Sequence, residues 1–203
     1  MGTSHEALVE TIQQIHRRGW CEGTGGNFSL VMQASPCLLL MAPSGVDKGA
    51  VTTDMLIEVD AQGEVTMGDG RASAETRLHL DIVKRCRAGA VLHTHSTNAT
   101  LLSRRHQNAG KIIFEGWEML KGLAGITTHE TSVELPVVAN NQDMHHLSDS
   151  VQHLLPNAAH GFLVAGHGLY AWGKNLKEAK RHLEILEFLL EVEWKQQILP
   201  QDS

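Results

Sequence analysis

Ala90-Val91-Leu92-His93-Thr94-His95-Ser96 is an apolar run that ends in two histidines one residue apart. A short run of this kind reads as a buried strand, in which alternate side chains share a face. His93 and His95 therefore project the same way, roughly 6.5–7 Å apart along the backbone. That spacing suits two imidazoles closing on one metal, although a pair of histidines at a strand end can equally be satisfied by ordinary hydrogen bonds. Gly161-Phe162-Leu163-Val164-Ala165-Gly166-His167-Gly168 is a second short apolar run ending in a histidine, with glycines that let the chain turn at His167. Three neutral imidazoles and an open position are the ligand count of a catalytic divalent metal, not of a closed structural site.

The composition narrows the setting of that chemistry. A chain of 203 residues suits a single domain over 1–203, large enough to bury a core without disulfides or a metal staple. A metal would then serve chemistry. The formal net charge of −6, with no long Lys/Arg run, argues against nucleic acid or an anionic membrane as a partner. Cys21, Cys37 and Cys86 are odd in number, widely spaced and outside any C-x-x-C pattern, so they read as reduced thiols of a cytoplasmic protein. No stretch reaches the ~18 apolar residues of a membrane span, and the first residues lack a signal-peptide pattern. Most of the 13 histidines must be bystanders; His5, His16, His106, His153 and His182 sit among polar or helical neighbours and read as solvated.

Along the chain, helical and strand patterns mix. Thr3-x-x-Glu6 is a capping box, followed by a helical stripe of Leu8, Ile12 and Ile15 that runs to Gly19. Gly23-Thr24-Gly25-Gly26-Asn27-Phe28-Ser29 is a glycine-rich turn into a strand; it suits either an anion-binding loop or a plain hairpin turn. Leu38–Met41 reads as a buried strand leading to Pro43-Ser44-Gly45, and Leu56–Val59 with Glu64-Val65 as a hairpin. Ser73 caps a helix from Ala74 to Arg87, with Glu75 in its first turn, where the helix dipole favours a carboxylate in any case. Ser96 or Thr97 caps a helix to Arg105, and a strand at Lys111–Phe114 precedes a helix over Glu115–Leu123, on which Glu118 alone looks like an ordinary surface residue. Val133–Val137 is an edge-like strand because of Pro136. Asp143 caps a helix from Met144 to Leu155, and a long helix from Leu176 to Gln197 carries the stripe Ala179, Leu183, Leu186, Leu190 and Trp194. This alternation predicts an α/β sandwich, one central sheet, largely antiparallel or mixed, covered by helices.

Gly25-Gly26-Asn27-Phe28-Ser29, Pro43-Ser44-Gly45, Ser73-Ala74-Glu75, His93-Thr94-His95-Ser96 and Gly166-His167-Gly168, taken in this order, resemble the class II aldolase and adducin head family over nearly the whole chain. The resemblance implies that family's α/β/α sandwich as a single domain, with one zinc ion per chain on His93, His95 and His167. It also implies that Gly26, Asn27, Ser44, Gly45 and Ser73 hold the phosphate of a sugar-phosphate substrate. Glu75 matches a glutamate that can ligate zinc and act as base, and Glu118 a catalytic acid/base. Glu115–Gly122, Asn140–Asp143 and Gly168–Gly173 are most similar to a dehydratase branch acting on a methylthio-bearing ketose 1-phosphate. A zinc aldolase or epimerase of another sugar phosphate, and a non-catalytic adducin-like interaction module, are the alternatives. The family likeness further implies a homo-oligomer, a homotetramer with sites near subunit boundaries.

Overall fold

In a computed structural model of the chain, residues 2–199 are described; Met1 and positions 200–203, the two ends of the expected 1–203 domain, lie outside the described residues. The Thr3 hydroxyl accepts the Glu6 N–H and the Glu6 carboxylate accepts the Thr3 N–H, so the predicted capping box starts helix α1 (Ser4–Arg17). The chain continues through strands β1 (Asn27–Ala34), β2 (Cys37–Met41), β3 (Ile57–Asp60) and β4 (Val65–Met67) to helix α2 (Thr76–Cys86) and strand β5 (Ala90–Thr94). Helix α3 (Thr97–Arg105), strands β6 (Lys111–Glu115) and β7 (Ser132–Val138), helix α4 (Met144–Gln152), strands β8 (Gly161–Val164) and β9 (Gly168–Gly173), and helix α5 (Leu176–Ile198) complete it.

The strands form one nine-stranded sheet in the order β4-β3-β2-β1-β5-β9-β8-β7-β6. Only β7 and β8 run parallel; the other neighbours are antiparallel, so the expected mixed, mostly antiparallel sheet is present. Strand alternation divides the core. Leu92 faces the layer of Leu8 and Ile12 of α1, Leu102 of α3 and Leu183 and Leu186 of α5, whereas Val91 faces Leu78 and Ile82 of α2 and Leu147 and Val151 of α4. Each of these side chains, fully buried, contributes about 1.5–3 kcal/mol. Strand β5, near the middle of the sheet, thus sends consecutive side chains into two helix layers.

Several expectations need correction. The helix predicted over Glu115–Leu123 is instead the end of β6 followed by a 3-10 turn at Glu118–Gly122. Glu115 still pairs with Ser132, Gly116 takes a positive φ of 74° and Trp117 is extended, which leaves too few residues for an α-helix. Helix α2 starts at Thr76 rather than Ala74, with Glu75 at the N-cap and no side-chain cap bond. Helix α4 ends at Gln152, short of Leu155, which begins a separate 3-10 turn. Strand β7 is not the sheet edge; β6 is. Pro136 is tolerated because β7 pairs with β6 up to that residue and with β8 only from Val137 onward, where an N–H is again available.

Candidate metal centre

Where β5 ends, the chain brings its two histidines together with a third from the turn between β8 and β9. His95 Nε2 lies 2.8 Å from His93 Nε2, and His167 Nε2 lies 3.4 Å from the same atom. Glu75 joins them from the N-terminus of α2, its Oε1 3.1 Å from His167 Nε2 and 3.6 Å from His93 Nε2. The four donor atoms all lie within 4.8 Å of one another. Among the described residues this is the group able to hold a metal ion.

The tautomers fit such an ion. His93 donates its Nδ1–H to Leu169 O at 2.9 Å, which leaves Nε2 as a bare lone pair aimed at the other rings. Three imidazole nitrogens around zinc at about 2.0–2.1 Å stand roughly 3.3 Å apart, close to the spacing found here. Burial pushes the His93 ring well below its ordinary range, opposed by the Glu75 carboxylate, and pushes His95 down to about 4, helped by His167. Burial works to raise the Glu75 carboxyl, but the His167 hydrogen bond and the fields of the three rings outweigh it and hold it at about 2. At neutral pH His93 and His95 are therefore neutral imidazoles beside an ionised Glu75, and with His167 they form a donor set whose lone pairs converge on one point, where a divalent cation removes the repulsion.

Local sequence explains the convergence. The β5–β9 ladder ends at the Thr94–Leu169 pair, and the β1–β5 ladder at Asn27–His93, so His95 stands just past the strand. Its N–H donates to Trp20 O at 2.8 Å. The glycine loop is pressed against it: a Cβ at Gly25 would stand 2.8 Å from His95 Nδ1, and one at Gly26, whose φ is 82°, 2.8 Å from His93 O. Asn27 donates its side-chain amide to Glu75 Oε2. The Ser73 hydroxyl accepts the Glu75 N–H at 3.3 Å, and the Ser44 N–H donates to Arg71 O, which ties the Ser44-Gly45 turn to the segment leading to Ser73. The Tyr170 ring stacks on His93 with centroids 3.9 Å apart and on Phe162 at 4.9 Å, forming an apolar floor.

Of the sequence-predicted site residues, His93, His95, His167 and Glu75 come together, and Asn27 and Ser73 touch Glu75. Glu118 does not join them. It lies on the surface, paired with Lys121 and 3.5 Å from His129, and the Lys121 hydrogen bond holds its carboxyl below the usual range. Three buried polar residues differ from or add to what the sequence predicts. Lys48 is buried, and its ammonium donates to Thr24 O and Val46 O, both at 3.0 Å, joining the glycine loop to the Ser44-Gly45 turn. Glu187 of α5 is buried against Thr94 and Ser96. His182, expected in solvent, is fully buried, with Nδ1 on Trp172 O and Nε2 accepting the Ala124 N–H; burial holds it at about 4. Both α5 residues carried a signal, because each lies at helical spacing within the apolar stripe. The three cysteines are free, and burial raises each thiol, Cys21 and Cys86 to about 11, which makes them poor nucleophiles.

The model of the Class II Aldolase and Adducin N-terminal domain family matches residues 6–194. A methylthioribulose-1-phosphate dehydratase of Pectobacterium atrosepticum is 43% identical over 196 residues, covering 95% of this chain and 94% of that protein. One of Serratia proteamaculans is 45% identical over 204 aligned positions, covering 96% and 95%. Among solved structures, YgbL of Escherichia coli superposes with a TM-score of 0.81 at 26% identity, over 98% of this chain and 91% of its own. An L-fuculose 1-phosphate aldolase shares the fold with a TM-score of 0.76 at 22% identity, over 100% and 92%. Among the described residues no helix is long and apolar enough to cross a membrane.

Proposed function

The chain belongs to the class II aldolase and adducin N-terminal domain family, and from that premise we propose that it is a cytoplasmic hydro-lyase of methionine salvage, removing water from 5-methylthioribulose 1-phosphate to give 2,3-diketo-5-methylthiopentyl 1-phosphate. The observation that carries this reading is the identity of 43–45%, over nearly the full length of both chains, with proteins named for that dehydration.

The residues present fit the metal that such chemistry uses. His93, His95 and His167 would hold one zinc ion per chain, with Glu75 beside them as a fourth donor or a base. When bound, the ion supplies a Lewis acid that polarises the substrate's C2 carbonyl, worth several kcal/mol. The reaction takes a proton from C3 and expels hydroxide from C4, and the resulting enol tautomerises to the diketone; one water leaves and no oxidant or reductant is needed. Glu118 is the residue assigned to remove the C3 proton and return one to the C4 hydroxyl, with each transfer contributing about 10²–10⁴-fold. Its carboxylate is exposed on a single chain and outside the histidine group, so this role requires the site to be completed by a neighbouring copy, in keeping with a homotetramer. Gly26, Asn27, Ser44, Gly45 and Ser73 would face the phosphate with neutral N–H and O–H donors, in loops that Lys48 ties to each other and Asn27 ties to Glu75.

One observation favours a second reading, a zinc aldolase or epimerase of another sugar phosphate: Glu75 sits in the histidine group, where it can act as base without Glu118. Incubating the zinc-loaded protein with methylthioribulose 1-phosphate and weighing the product separates the two. A product lighter by one water, formed only with metal, is expected. Unchanged substrate with one metal per chain would overturn the dehydratase reading, and absence of metal uptake would leave only the adducin-like interaction module.

A further inference from the structure

Strand alternation that turns His93 and His95 toward the metal group turns Thr94 and Ser96 the other way, toward α5. Glu187 waits there. The Thr94 hydroxyl donates to its Oε1 at 2.7 Å and the Ser96 hydroxyl to its Oε2 at 2.6 Å. The carboxylate is 2% exposed, and the charge that bears on it is a second carboxylate, Glu191. Burial pushes it up to about 7, against the two hydroxyl bonds. A buried acid of this kind is a poor stability device, since an apolar side chain of similar volume generally serves a fold as well or better.

What the contact does accomplish is positional. His95 lies one residue beyond the last β5–β9 pair, where the ladder no longer enforces extended backbone. The two hydroxyls flanking it are fastened to one planar carboxylate, and the Ser96 hydroxyl also accepts the Ala99 N–H at 3.1 Å, fixing the start of α3. We infer that Glu187 is a positioning residue for the metal centre: a two-oxygen clamp on Thr94 and Ser96 that keeps the strand extended through His95, so that its ring meets His93 and His167. The clamp rests on the reading of the histidine group as a metal site, and deepens it by assigning the α5 side of that site.

The test uses Glu187→Gln, which keeps the shape but leaves one acceptor in place of two, and Thr94→Val, which removes one donor from the opposite side with little change in volume. Three quantities are read on the full chain: zinc affinity by competition with a chromophoric chelator, amide exchange of residues 94–96, and the thermal midpoint of the metal-free protein. Both variants are expected to bind zinc about 10–100-fold more weakly, as is usual when a residue supporting a metal ligand is lost. The His95 amide, bonded to Trp20 O, should exchange at least roughly tenfold faster, with a midpoint near that of the parent. Parent-like affinity and exchange in the folded variants would overturn the clamp, as would an affinity loss with no change in exchange. A parent protein that takes up no zinc would sink the metal reading, while the exchange rates would still decide the clamp. If Glu187→Gln does not fold, Thr94→Val carries the same comparison.

Discussion

The end of β5 and the turn at Glu118–Gly122 are two sequence-predicted parts of one site, and they are built in opposite ways. At the first, His93 is fully buried, its ring is backed by Tyr170 and tied to Leu169 O, and the next residues are fastened to Trp20 and Glu187. At the second, Glu118 is exposed on a short 3-10 turn and spends its charge on Lys121 and His129. Converging lone pairs must be held rigidly because they repel one another until a cation arrives, so the sheet and α5 surround them. The proposed proton-transferring role of Glu118 needs reach, and among the described residues its carboxylate meets only Lys121 and His129. The histidine group is therefore gathered within one chain, whereas Glu118 stands outside it, and in the proposed dehydratase a neighbouring copy would have to bring the two together.

The comparison can be broken in four ways, the largest effect first. His95→Ala should abolish both zinc uptake and detectable turnover, measured by metal content and by the water-loss assay; activity without metal would remove the zinc mechanism altogether. Glu118→Gln should retain one zinc per chain and lower turnover by about 10²–10⁴-fold. Near-normal turnover there would hand the acid/base role to Glu75. Equimolar His95→Ala and Glu118→Gln chains, unfolded and refolded together, should regain up to about a quarter of the parent activity if each site draws on two copies, because a random mixture pairs an intact histidine set with an intact Glu118 that often. No recovery would place the acid and the metal group in one chain.

The smallest effect concerns the tie between α5 and the segment after Glu118. His182 accepts the Ala124 N–H, and His160 stacks on it with centroids 4.1 Å apart while bonding Ala124 O. Burial keeps the His182 ring neutral down to about 4, whereas in the unfolded chain it takes a proton near 6.5. The folded pKa is the lower one, so the unfolded state binds more protons between those values, and stability present above pH 6.5 is lost as the pH falls toward 4. In urea unfolding at pH 7 and pH 5, His182→Gln should lose less stability on acidification than the parent, by roughly 1–3 kcal/mol. An equal loss in both proteins would show that the ring already titrates normally.

Much of this was legible in the residues. The Thr3/Glu6 box, the caps at Ser96 and Asp143, and the hairpin of Leu56–Val59 with Glu64-Val65, whose turn Asp60 closes, are local, and each stands where its sequence placed it. The alternation also puts His93 and His95 on one face, as the histidine group requires, because a two-residue period survives any register that keeps β5 buried. The Glu118 segment departs from the predicted helix because the helical spacing of Trp117, Leu120 and Lys121 says nothing of the β6–β7 pairing that claims Glu115. Ser73 looked like a cap for the same reason: its spacing is right, but the helix begins later and Glu75 turns to the histidines instead. Polar neighbours in sequence make His182 look solvated, while its partners, Trp172 and Ala124, come from a strand and a loop.

By itself the sequence determined most of the order of strands and helices, the segment after β6 excepted, together with the family and which histidines share a face, since each follows from periodicity, capping or a motif within a few residues. Only the tertiary structure decided that Glu75 completes the histidine group, that Glu118 stands outside it, and that Lys48, His182 and Glu187 are buried supports. Those outcomes depend on contacts between residues up to 93 positions apart, such as Thr94 with Glu187. A buried polar side chain is tolerated only where the fold delivers its partner, and no local pattern states where that will be.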